Sequence, residues 1–156
     1  MTKKALLFTV LACLAVPVWA VDLPNPSMTP GVTNSDVTQA NIDGTICVRG
    51  YTKTIRPPAY YTNRLKKEQI VEYGYTDRNP RHYEEDHLIP LEIGGNPRDP
   101  RNLWPEPRNS QYDAGEKDKL ENRLQELVCA HQLPLAQAQQ EIATNWVAAY
   151  KRYVSQ

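Results

Sequence analysis

The chain has 156 residues, with 18 Lys and Arg balanced by 18 Asp and Glu. That length suits one domain with a modest core. Balanced charge excludes a uniformly basic nucleic-acid coat and an acidic tail, so any charged partner must be met by a local patch.

Lys3 and Lys4 precede the apolar run "ALLFTVLACLAVPV", and "VWA" ends at the small residue Ala20. This is the pattern of a secretory signal peptide over residues 1–20. The run is too short to be read as a membrane span, so no stable membrane insertion is expected after cleavage, and the mature chain is expected to be periplasmic or secreted. "VLAC" around Cys13 loosely resembles a lipoprotein box, but the apolar run continues past the cysteine, which argues against lipidation there. Cys47 and Cys129 remain as an even pair in an exported chain and predict one disulfide. Neither has a second Cys or His at ligand spacing, which argues against zinc.

Residues 21–45, rich in Pro, Ser, Thr and Asn with no apolar period, predict a flexible N-terminal arm. The domain proper is expected over 46–156. "ICVRGY" predicts a short strand around Cys47, and the paired prolines of "IRPPAYY" predict extended chain. "TNRLKKEQIVEYG" predicts a helix capped by Thr62 or Asn63 and stopped by Gly74. Between Arg49 and Lys67 lie six basic residues, no acidic one, and Tyr51, Tyr60 and Tyr61 among them. Such a stretch suits a phosphate-rich polymer, with Arg49, Lys53, Arg56, Tyr60, Tyr61 and Lys66 as candidate contacts; a solvated basic face is the alternative.

"EEDHLIPLEIGGNPRDPRNLWP" follows, two extended runs separated by several breakers, which predicts a hairpin that folds Asn102 back toward His87. Asp113 opens "DAGEKDKLENRLQELVCAH", where Leu120, Leu124, Leu127 and Val128 recur at helical spacing. Pro134 ends that helix, and "LAQAQQEIATNWVAAYKRYV" predicts another, with Ile142, Trp146, Tyr150 and Tyr153 along one side. The elements add up to an α+β fold.

The order "EEDHLIPLEIGG…RNLW…DAGEKDKLE" resembles the HNH-type, or ββα-metal (His-Me finger), endonuclease superfamily, in particular small exported HNH-like nucleases. The resemblance covers residues 47–153. It implies a strand-loop-strand-helix core with additional helices packed behind it, and a metal-dependent endonuclease cutting DNA, with RNA as the alternative substrate, at low sequence specificity. His87 takes the general-base position and Asn102 the position that orients its ring. Asp86, Asp113 and Glu121 fall at metal-ligand positions, Asp113 first among them, Asp86 second, and Glu121 as a ligand through water. These types belong together chemically. A near-neutral imidazole can take a proton from water, and an oxygen-bound cation neutralises the phosphate and the departing oxygen.

Two departures stand out. The third letter of H-N-H would be Asp113, a carboxylate, which favours Mg²⁺ or Mn²⁺ over zinc and leaves Asn109 and Gln111 nearby as rival ligands. No Arg separates Asp86 from His87, so Arg56 or Arg81 must supply the cation facing the phosphate. "DAGE" is also a capping box, which gives Asp113 a competing structural role. A non-catalytic nucleic-acid or envelope-polymer binding module on the same scaffold is the alternative function. Glu84, Glu85 and Asp86 as glycosidase carboxylates are discounted, because neighbours on a strand point to opposite faces. The sequence leaves the oligomeric state open.

Overall fold

The structure is a computed structural model that describes residues 23–155; the predicted signal peptide lies outside the described residues. The fold is α+β: a two-stranded antiparallel sheet held among four helices.

Strand β1 (Tyr83–His87) pairs with β2 (Leu103–Pro107), placing Glu84 opposite Glu106, Asp86 opposite Trp104 and His87 opposite Leu103. Pro105 and Pro107 are tolerated in β2 because each strand of a two-stranded sheet has a free edge. The sheet has helices on both sides. Helix α2 (Ala59–Glu72) reaches β2 through Gln69, whose Nε2 donates to the Leu103 carbonyl at 3.0 Å. Helix α3 (Ala114–Cys129) crosses the other side, and α4 (Leu135–Tyr153) packs against α3. Leu120, Leu124 and Val128 of α3 meet Ala138, Ile142 and Trp146 of α4 and Trp104 of β2 in one buried cluster. Each such Leu or Ile stabilises the fold by roughly 1.5–3 kcal/mol.

Helix α4 bends at Asn145, where the backbone leaves helical angles and Asn145 Oδ1 accepts from the Ala148 amide at 2.9 Å, capping the second half. Among the described residues no helix is long and apolar enough to cross a membrane.

Three local expectations are corrected. The segment 23–45 is not a flexible arm. Val37 and Ile42 enter the core, Thr29 is fully buried against the Leu103 carbonyl and the Tyr73 hydroxyl, and Thr33 bridges Gly95. Its composition argued for looseness, but its backbone groups find partners along the hairpin loop. These include Asn34 N–H to Gly94 O at 2.8 Å and Asn96 N–H to Val32 O at 2.7 Å. Around Cys47 there is no strand. The Cys47 amide turns back to the Ile42 carbonyl, Gly50 takes a φ of 88°, and helix α1 (Tyr51–Ile55) starts there. Pro57 and Pro58 lie between α1 and α2, Pro58 in extended geometry, yet α2 begins straight after Pro58 rather than at Thr62. Proline's preset φ suits a helix entry.

The disulfide joins Cys47 to Cys129, 82 positions apart, with 5.6 Å between their Cα atoms. A loop of that length adds roughly 4 kcal/mol by restricting the unfolded chain. It ties the segment before α1 to the last residue of α3, and so fixes α1 and Arg56 near the end of β1.

Candidate active site

Because side chains alternate along a strand, Glu84, Asp86, Trp104 and Glu106 share the face of the sheet turned to α3. From the first turns of α3, Lys117 reaches that face. Its Nζ donates to Asp86 Oδ2 at 2.5 Å, to the His87 carbonyl at 2.7 Å, and to Glu121 Oε1 one turn further along the helix. All three N–H groups of the ammonium are thereby used, and Lys117 is 0% exposed. Burial opposes its charge, but Asp86, Glu121 and Glu106 overcome that and hold the ammonium well above its usual range. Burial also works against Asp86, and there the Lys117 ammonium wins, holding the carboxyl below its ordinary value. Glu106 is 0% exposed, no N–H group reaches either of its oxygens, and its carboxyl lies in hydrogen-bond contact with that of Asp86. Burial pushes it well above the carboxylate range against the pull of Lys117. Burial pushes Glu121 well above that range too, so of the three carboxyls around Lys117 it is Asp86 that is held below its ordinary value.

His87 ends β1 and is 4% exposed. Its Nε2 donates to the Pro97 carbonyl in the hairpin loop at 3.1 Å. That fixes the tautomer and leaves Nδ1 as the free acceptor. Burial lowers the imidazole's pKa, and the neighbouring Lys117 and Arg56 add to this, while Asp86 and the Pro97 contact oppose it. The ring is a neutral, oriented base.

Asn102 does not touch that ring; it builds the loop that does. Its Oδ1 accepts from the Ile89 amide at 3.0 Å and the Val32 amide at 3.3 Å, and its Nδ2 donates to the Ile89 and Asn96 carbonyls at 3.0 Å each. The last of these bonds holds the residue before Pro97. Gly95 makes the turn possible: a Cβ there would sit 1.7 Å from the Ile89 carbonyl oxygen. Asn102 is thus a positioning residue acting through Pro97.

Asp86, His87 and Glu121 line a cleft of about 180 Å³ together with Arg56, Glu84, Glu92, Asp118 and Asn122. Arg56 sits at its rim, half exposed, 3.7 Å from the Glu92 carboxylate. Of the two arginines expected to face a phosphate, this is the one that lines the cleft with His87. Arg81 instead lines a second cleft with Lys66, Lys67 and Arg108.

The expected ligand trio is not brought together. Asp113 takes the capping role, its Oδ1 accepting from the Glu116 amide at 3.2 Å. It lies eight residues, about 12 Å along the helix axis, from Glu121, and does not line the cleft. Asn109 and Gln111, the rival ligands, are exposed and also outside it. The basic stretch is likewise divided. Arg49 lines a groove beside Tyr51 and Gln125, while Lys53 and Tyr60 face solvent. The Tyr61 hydroxyl donates to the Arg98 carbonyl at 2.5 Å, and Lys66 Nζ donates to the Tyr83 carbonyl at 3.2 Å.

Lys117 and Glu106 are the residues sequence reasoning passed over. Lys117 falls three positions before Leu120 and seven before Leu124, on the apolar stripe of α3. A lysine at that register marks a buried cation. Glu106 is two residues from Trp104 and so shares its buried face.

Comparison with known proteins finds no matching family model, no matching curated protein and no matching solved structure.

Proposed function

We propose that the chain is an exported phosphodiester hydrolase of the HNH, ββα-metal kind. It cuts nucleic acid, DNA first and RNA as well, with little sequence preference. One observation carries the reading: His87, its buried imidazole held neutral and fixed through Nε2 by a backbone carbonyl, lines a polar cleft that Arg56 also lines. In this reading His87 Nδ1 takes a proton from water as the water oxygen bonds to phosphorus. The Arg56 guanidinium faces the charge that builds on the phosphate oxygens. The bond to the departing oxygen breaks, and that oxygen takes its proton from solvent at the open mouth of the cleft. Export fits the signal-peptide pattern of residues 1–20 and the disulfide, which suits an oxidising compartment.

The resemblance also implies a divalent cation, Mg²⁺ or Mn²⁺. The residues present do not fit the ligand set it implies. Asp86 and Glu121 each give an oxygen to Lys117, Asp113 caps its helix, and among the described residues no three His, Cys, Asp or Glu side chains stand together to hold a metal. The steps above therefore run through the chain's own groups.

The test is cleavage of supercoiled plasmid and of bis(p-nitrophenyl) phosphate by the purified mature chain, with and without Mg²⁺ and chelator. Wild type should cut both, and His87→Ala should lose about 10²–10⁴-fold. The chelator arm reports what a cation adds. Equal rates for wild type and His87→Ala overturn the reading. Retention of nucleic acid with no cleavage in any arm favours instead the non-catalytic binding module. The observation on that side is that every donor of the Lys117 ammonium is already spent inside the protein.

A further inference from the structure

The second cleft, of about 490 Å³, lies where α2 passes the open end of the sheet. Lys66 and Lys67 come from α2, Arg81 from the 3-10 turn Pro80–His82 before β1, and Arg108 from the residue after β2. Four cations line it and no carboxylate does. The scaffold fixes two of them: Lys66 Nζ donates to the Tyr83 carbonyl, and the Arg108 amide donates to the His82 carbonyl at 2.9 Å. Lys67 and Arg81 are exposed at its edge.

The acidic groups described beside it cancel one of the four charges, that of Arg108. Glu84 pairs with Arg108 at 2.7 Å and marks the border with the His87 cleft, which it also lines. Glu85, on the α2 side of the sheet, is pushed up to about 9 by burial against the pull of Lys66, so it is uncharged at neutral pH.

Tyr60 completes the surface. It is 78% exposed and precedes Asn63 and Lys67, both cleft residues, by three and seven positions on α2. It therefore stands on the same side of the helix, an aromatic platform next to a row of cations. From Tyr83, in this cleft, to His87, in the other, is four strand residues or about 13 Å, a distance a few nucleotides span.

We propose that this cleft is the landing site for the backbone of a single-stranded nucleic acid: its phosphates lie among Lys66, Lys67, Arg81 and Arg108, a base stacks on Tyr60, and the strand runs past the Glu84–Arg108 pair toward His87. The last clause rests on the function proposed above; the binding itself does not. Phosphate contacts supply affinity without sequence preference, and stacking on an exposed ring requires an unpaired base and tolerates any.

The experiment uses the full mature chain and fluorescence anisotropy of labelled oligodeoxythymidylate, oligodeoxyadenylate and heparin across a range of KCl concentrations. Lys67→Ala/Arg81→Ala removes two exposed cations without touching the bonds that build the cleft. Its slope of log K against log salt should be shallower by about 1.4, near 0.7 for each single-strand phosphate no longer neutralised, with equal weakening for both oligonucleotides. Tyr60→Ala should weaken oligonucleotide binding about fivefold or more, leaving the salt slope and heparin unchanged. Both variants should hydrolyse bis(p-nitrophenyl) phosphate at the wild-type rate. Unchanged slope and affinity in the double variant overturn the proposal. So does a weakening confined to heparin, which would assign the cleft to an anionic polysaccharide. If wild type fails to hydrolyse the small diester, the hydrolase reading falls while the anisotropy arms still decide this one.

Discussion

Replacing Lys117 with methionine separates the ammonium from the stem that carries it. Methionine retains most of the buried aliphatic length, so packing changes little and the loss is the cation. Asp86, Glu121 and the His87 carbonyl then lose their common donor. Removing one partner of a buried pair costs about 3–5 kcal/mol. Asp86 sets a ceiling on that cost, because it can take up a proton instead. From its ordinary value of 3.8, doing so costs about 4 kcal/mol at pH 7 and about 1.5 kcal/mol at pH 5. The sign follows from the direction of the shift. A carboxyl held below 3.8 in the folded protein contributes stability above that value and loses it as the pH falls through its folded pKa. That loss lies below 3.8; between pH 5 and 7 the change comes from the variant, whose folded Asp86 keeps a proton that the unfolded chain releases, so its penalty shrinks as the pH falls toward 3.8. Urea unfolding followed by tryptophan fluorescence should give a penalty near 4 kcal/mol at pH 7, shrinking toward about 1.5 at pH 5. A penalty below about 1 kcal/mol at pH 7, or one equal at both pH values, refutes the account of Lys117 as the site's internal cation.

If His87 is the base, its lowered pKa places the acid limb of the plasmid-cutting profile below pH 6.5, the ordinary value for histidine; a limb above 6.5 contradicts this. The same shift makes His87 cost stability as the pH falls through 6.5, where the unfolded chain takes up protons that the folded one does not. Asn102→Ala removes four hydrogen bonds that shape the loop and should cost about 2–4 kcal/mol in urea unfolding. At temperatures where the variant stays folded, it should also slow cleavage by releasing the Pro97 carbonyl from His87; wild-type stability would remove it from the scaffold. Glu85, raised from 4.5 to about 9, keeps a proton that the unfolded chain releases, so this group lowers stability by up to about 1.4 kcal/mol per pH unit as the pH rises through that window. Glu85→Gln should stabilise the protein and flatten its stability between pH 6 and 8, read as melting temperature; an unchanged profile contradicts the burial.

The parts of the fold legible in the sequence are those where local chemistry and tertiary packing agree. The breakers between Ile89 and Pro100 allow little but a shaped reversal, and the Leu120, Leu124 and Val128 period has one way to be buried. Asp113 was readable as a cap because "DAGE" satisfies the first amides of a helix by itself. The segment 23–45 was not legible, since its order comes from partners some 60 residues away: Asn34 on Gly94, Val32 on Asn96, Thr29 on Leu103. Composition reports how much a segment can bury alone and is silent about backbone groups that a distant loop satisfies. The basic stretch failed differently. Its members are contiguous in sequence, but the turn through Pro57 and Pro58 sends Arg56 to one cleft and Lys66 to another.

The site shows the same division between identity and environment. His87, Asp86 and Arg56 were candidates by type and order, yet the sequence reading passed over Lys117, which adds to the burial that lowers the imidazole's pKa. An unpaired Asp86 carboxylate beside His87 would favour the imidazolium. Lys117, bound to Asp86 and to the His87 carbonyl, offsets that field from the opposite side, so the burial of the ring decides its charge and His87 stays neutral. An expectation of three carboxylates around a metal took charge neutralisation to be the work of an added ion. What the α3 register neutralises is Asp86 itself: one helical turn separates Lys117 from Glu121, and both point at the strand end where Asp86 sits. The placement that secures Asp86 in the folded state therefore also offsets part of its pull on His87, in the same direction as the burial that lowers the imidazole's pKa.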